Sequence, residues 1–171
     1  MSIIARVEEL VAVGKLIHRP SSFLDISARN VILAPEIEAL AQKPFADTPE
    51  GERHAALAAY LDAFSELNAI TVSQDPYNKP GHTMLARAFP IEDEFWSMRI
   101  THPEDTAGMR LLGAFCAVDS FVGLACDFRE NIMSFDDEVS AAKDRWADLF
   151  NGITPLSGSS LRDYLTNFRE L

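Results

Sequence analysis

Nowhere in this chain is there a run of the roughly 18 apolar residues that a membrane span requires. Cysteine is almost absent. Its two copies, Cys116 and Cys126, have no CxxC partner and no neighbouring histidine, which excludes a disulfide framework and a zinc ribbon. Both sit in apolar stretches and are expected to be reduced core residues, since a free thiol packs as a small hydrophobe. There is no G-x-S-x-G, no G-x-G-x-x-G and no phosphate loop, so the common nucleophile and dinucleotide devices are missing and no cofactor is expected. Histidines occur at 18, 54, 82 and 102 without HxH or HxxxH spacing, and no metal site is expected.

Positive charge is also scarce. Fifteen Lys and Arg stand against 26 Asp and Glu, a net charge of −11. Such a surface repels a phosphate backbone, so direct nucleic-acid binding, which rests on basic patches, is disfavoured. The acids concentrate in 35–68, with seven against two bases, and in 127–148, with seven against three. Solvated helix faces account for this pattern, and an acidic surface facing a basic protein partner is the functional alternative. The N-terminus is apolar but carries Glu8 and Glu9, which a signal peptide's hydrophobic region would exclude, so a soluble cytoplasmic protein is expected.

What is present suits an ordinary folding unit. The 171 residues are 47% hydrophobic, and one domain spanning 1–171 is expected. Residues 1–68 are expected to be mainly helical. Ile3, Val7, Leu10, Val11 and Ile17 suit a helix stopped by Pro20, residues 21–46 are ambiguous around Val31-Ile32-Leu33, and Pro35 suits the first position of a short helix. Asp47, Pro49 and Glu50 then announce a helix to about Asn68, with Leu57, Leu61, Phe64 and Leu67 on one face. After it the period changes from 3.6 to 2. Residues 70–74, 83–89, 95–101, 110–116 and 120–128 read as five strands, with Pro80-Gly81 as a turn and Ala117–Asp119 as a tight connection. The last two strands are apolar at nearly every position, so helices must cover them. Ser134 caps a helix over 135–150, and a short final helix begins near Ser159 or Ser160. The fold class expected is α+β, with an antiparallel meander over 69–128 between N-terminal helices and a helical 134–168.

The pieces Phe95-Trp96-Ser97-Met98-Arg99, Arg110-Leu111-Leu112-Gly113-Ala114-Phe115 and Phe121-Val122-Gly123-Leu124, followed by a helix, resemble the core of the RelE/HigB/ParE toxin superfamily. The resemblance covers 95–150. The whole chain is similar to small bacterial proteins of this pattern that carry no assigned activity. Kinship with the toxins implies a ribonuclease or an inactive relative, with Arg87, Arg99, Arg110 and Arg129 near the site. The chain departs from those basic enzymes in being acidic. Where they carry a lysine-rich segment it has CDFRENIMSFDDE, in which only Arg129 remains, and this implies that toxin chemistry is lost.

Arg87, Arg99 and Arg110 fall on three successive predicted strands and approach one another if the strands pair in order. Glu92, Asp93 and Glu94 then offer counter-charge, giving surface ion pairs. Without it, the arginines form an anion site, because guanidinium meets carboxylate or phosphate in a bidentate way. The loop 75–82 adds Tyr77, Lys79 and His82 as ligand-binding groups, though turn chemistry alone explains its Asp, Pro, Asn and Gly. A sheet face left uncovered would mark a homodimer or partner interface. These features point to a non-enzymatic binding module.

Overall fold

The computed structural model describes residues 2–20, 29–66 and 69–171. Its centre is one mixed sheet of eight strands: β1 (Ile17–Arg19), β2 (Asn30–Leu33), β3 (Ile70–Ser73), β4 (Leu85–Arg87), β5 (Phe95–Ile100), β6 (Met109–Ala117), β7 (Ser120–Phe128) and β8 (Phe168–Glu170). Their order is β1-β2-β7-β6-β5-β4-β3-β8. The expected antiparallel run of five is therefore too simple. β4-β5-β6-β7 is antiparallel, but β2 pairs with β7, β3 with β4 and β3 with β8 in parallel.

Each correction has a local cause. Pro80-Gly81 does not close a tight hairpin, because residues 74–84 swing back as a crossover and set Val72 beside Leu85 in parallel. The first helix, α1 (Ile3–Ala12), stops five residues before Ile17. Gly14 takes φ +73, and the chain re-enters the sheet as β1. The region expected to be mainly helical thus supplies two strands. The Val31-Ile32-Leu33 run is a strand buried at all three residues, whereas 21–28 and the expected helix end at 67–68 lie outside the described residues. The final helix is only a 3-10 turn, Leu161–Asp163, capped by Ser160 with a capping box to Asp163, and the chain ends as edge strand β8.

Helices cover both faces, as the apolar β6 and β7 demand. Next in chain order are α2 (Pro35–Leu40), α3 (Pro49–Ser65) and α4 (Phe135–Phe150). Thr48 caps α3 in place of Asp47, and Ser134 caps α4 as its sequence suggests. On one face Ile37, Leu57, Leu61 and Phe64 from α2 and α3 meet Trp96, Met98, Leu111 and Phe115. On the other, Val7 and Leu10 of α1 join Val139, Ala142 and Trp146 of α4 over Phe95, Leu112, Ala114 and Cys116. Cys126 packs on the first of these cores and Cys116 in the second, so the sheet separates them. Both are free, and burial pushes their thiols up, to about 11 for Cys116 and about 12 for Cys126, which leaves them protonated at neutral pH. No described helix is long and apolar enough to cross a membrane.

Candidate functional site: a cationic pocket

Period two decides which arginines meet. Along β5, Trp96, Met98 and Ile100 enter the core beneath α3, so Phe95, Ser97 and Arg99 point to the opposite face. Along β6, Met109 and Leu111 take the first face, and Arg110 shares the second with Leu112. Register completes the placement, because Arg99 lies directly opposite Arg110. Like charges facing each other across an antiparallel pair are destabilising. Helix α4 does not cover this end of the sheet. Its first residue, Phe135, forms a wall beside the arginines, and the loop after β3 supplies Tyr77 and Lys79. Arg129, from the 3-10 turn Arg129–Asn131 that follows β7, closes the group. With Ser97 at its floor, the cavity is about 320 Å³.

Four cations thus share one small cavity of an acidic chain. Each arginine spends one donor on a main-chain carbonyl: Arg99 Nη1 on Pro80 at 3.0 Å, Arg110 Nη1 on Met109 at 2.8 Å, and Arg129 Nη1 on Ile132 at 3.2 Å. Among the described residues, none of the four has a carboxylate at ion-pair distance. Asp75 acts on Lys79 only through space, and its Oδ1 accepts from the N–H groups of Tyr77 and Asn78. Asp127, opposite Arg110 in register, accepts from the Phe128 N–H and the Asn131 side chain instead. Crowding shows in the acid–base balance. Burial, then the charges of Arg99 and Arg110, holds Lys79 below the ordinary lysine range. Burial, then Arg99 and Arg129, brings Arg110 down to about 10, and burial also lowers Arg99.

A second signal comes from Ser97. It is 2% exposed and lines the cavity, yet its hydroxyl has no hydrogen-bond partner. A buried polar group left unpaired is costly. Guanidinium donors, an ammonium and a free hydroxyl together form a donor-rich, acceptor-poor pocket, suited to an anion.

Of the residues singled out in the sequence, Tyr77, Lys79, Arg99, Arg110 and Arg129 come together here. Two do not. Arg87 is in register with Trp96 and lies on the opposite face. There it pairs with Glu94 and reaches the Tyr164 hydroxyl at 3.3 Å. The expected row of three arginines therefore breaks, because Leu85 and Arg87 share the face of Trp96 while Arg99 sits on the alternate parity. His82 lines a separate cavity of about 570 Å³ with Tyr60, Thr83 and His102. Of the expected counter-charges, Glu94 does pair with Arg87, whereas Asp93 goes to Lys143, and neither reaches Arg99 or Arg110. Sequence reasoning missed Ser97 and Phe135. Alternation with Arg99 was the signal for Ser97. Nothing local marked Phe135, which reaches the pocket only through the docking of α4. No group of histidine, cysteine and acid side chains among the described residues is arranged to hold a metal ion.

None of the protein-family models, curated proteins or solved structures compared with this chain matches it.

Proposed function

We propose that this protein is a binding module whose ligand is a compact anion, a phosphate or carboxylate, held by Lys79, Arg99, Arg110 and Arg129. One observation carries the reading: four cations converge with no carboxylate at ion-pair distance among the described residues, in a chain of net charge −11. Half-buried arginines elsewhere in the protein have acid partners, as Arg53 does in Glu130 and Arg145 in Glu36. Cations held apart from that supply carry a charge that an external anion can neutralise. With four of its 15 basic residues drawn into one cavity, the rest of the chain is more acidic still, which also suits a basic protein partner.

Calorimetric titration of the full chain with sulfate and pyrophosphate tests the reading. Saturable binding is expected. Arg99→Ala and Arg110→Ala each remove charge-assisted hydrogen bonds worth about 1.5–3 kcal/mol, a loss of roughly tenfold or more. Absence of binding, or binding that survives the double substitution, would overturn it.

The convergence of Arg99, Arg110 and Arg129 also keeps a second reading open, a RelE-like ribonuclease or its inactive relative. Its weakness is Arg87, which is engaged on the other face. If that reading holds, expression of the chain arrests growth or cleaves RNA, and the Arg99/Arg110 double substitution abolishes the effect. Activity retained by the double variant would remove the arginines from any such chemistry.

A further inference from the structure

Resting on the anion-binding reading, we infer that the pocket takes the phosphates of a nucleoside di- or triphosphate, with the base stacked on Tyr77. Tyr77 lines the same cavity as the four cations, yet it is 74% exposed. A compact inorganic anion has no use for that ring. A planar base does.

The loop that carries the ring is tied down, and the ring itself rests against Phe89. Asp75 accepts from the N–H groups of Tyr77, at 2.8 Å, and Asn78, at 3.1 Å, fixing the loop tip. Arg99 ties the same loop to the sheet through the Pro80 carbonyl. Phe89, itself 45% exposed, backs the tyrosine with ring centroids 5.5 Å apart. Phe135 provides a second aromatic wall, with the Lys79 ammonium 5.8 Å from its ring centroid. Pre-organised aromatic walls beside a phosphate site reduce the ordering cost of binding a ring.

Size and charge narrow the ligand further. A cavity of about 320 Å³ is at the small end for ligand pockets, room for phosphates but not for a whole nucleotide, so the base belongs at the rim where Tyr77 stands. A terminal phosphate carries about −1.5 to −2 near neutral pH and each inner phosphate of a chain about −1, so a di- or triphosphate brings roughly −3 to −4, which four cations match. The acidic remainder of the protein repels a long polyanion, which favours a mononucleotide over RNA or DNA. Ser97, at the cavity floor, has a hydroxyl free to donate to a phosphate oxygen.

The test is calorimetry of the full chain with ATP, tripolyphosphate and adenosine, on the unsubstituted protein and on Tyr77→Ala and Tyr77→Trp. Stacking of a base on an aromatic ring is worth roughly 5- to 100-fold in affinity. ATP is therefore expected to bind at least about fivefold tighter than tripolyphosphate. Tyr77→Ala should erase that preference, and Tyr77→Trp should keep it. Equal affinity for ATP and tripolyphosphate, both lost in Arg99→Ala/Arg110→Ala, would overturn the nucleotide inference and leave the anion site standing. Tighter binding of a phosphoserine peptide than of ATP would overturn it in the same way. If neither ATP nor tripolyphosphate binds, the anion reading itself falls.

Discussion

Arg110 stands where its charge costs energy. Burial and two neighbouring cations bring it to about 10, below the ordinary 12.5. Between those values the unfolded chain holds the proton more tightly than the fold does, so stability rises with pH across that window. At neutral pH the ligand-free fold carries the whole penalty. Arg110→Met keeps the aliphatic stem and removes the charge. It is expected to stabilise the ligand-free protein by up to about 1 kcal/mol, since the site is partly screened by solvent, and to weaken anion binding roughly tenfold or more. Paired thermal melts and titrations read both effects. The same shifts predict that sulfate affinity is flat near neutral pH and falls as pH approaches about 10, where Arg110 in the free protein gives up its proton. Sulfate does not titrate in this range, so the loss reports the protein alone.

A different buried arginine obeys the opposite rule. Arg19, 7% exposed, donates to both Glu38 oxygens at 3.0 and 3.1 Å, and to Asp62 at 3.3 Å. Glu38→Ala leaves that buried guanidinium with Asp62 as its remaining carboxylate partner and is expected to cost about 1.5–3 kcal/mol in urea unfolding. Nothing in the sequence joined residues 19, 38 and 62, because β1, α2 and α3 meet only after the chain folds. The arginines of the candidate site were easier to find. Two of the three sit on strands whose alternation is plain, although parity across strands, which sets Arg87 apart, depends on register.

At the scale of elements, β6 and β7 were legible because both are long and apolar, and α4 because cap, acidic first turn and apolar stripe agree. The edge strands β1 and β8 were not. At three residues each they are too short for a period to register, and they exist only because β2 and β3 offer free edges. The parallel pairing of β3 with β4 was hidden for the same reason, since a long crossover and a hairpin loop share Pro and Gly. Within β6, Gly113 marks a close approach at a register shift: a Cβ there would lie 1.9 Å from the Val122 carbonyl oxygen and 2.9 Å from the Phe121 ring. Gly113→Ala is therefore expected to cost about 2–4 kcal/mol, seen as a lower denaturation midpoint with unchanged slope, because backbone must move. That strand also carries Arg110, so a tolerated variant should still weaken anion binding by shifting the arginine.

Across the whole molecule, acids outnumber bases 26 to 15, yet four of those cations gather at one end of a sheet face beside α4. Composition made the first half of this legible and disguised the second, because a net charge of −11 averages a basic pocket out of sight. Occupancy of the pocket should couple to global stability. A ligand at a hundredfold its Kd adds about 2.7 kcal/mol, which in a chain of this size raises Tm by roughly 5–10 °C. Melts with and without pyrophosphate measure it, and added sodium chloride should reduce the shift by screening.

The most direct test is a crystal structure of the full chain soaked with tungstate, whose electron density is unmistakable. An anion site at this end of the sheet places tungstate within hydrogen-bond distance of Arg99 and Arg110, with Ser97 and Lys79 turned toward it. Tungstate bound only elsewhere, or these arginines found paired to Asp127 and Asp75 with the pocket closed, would contradict it.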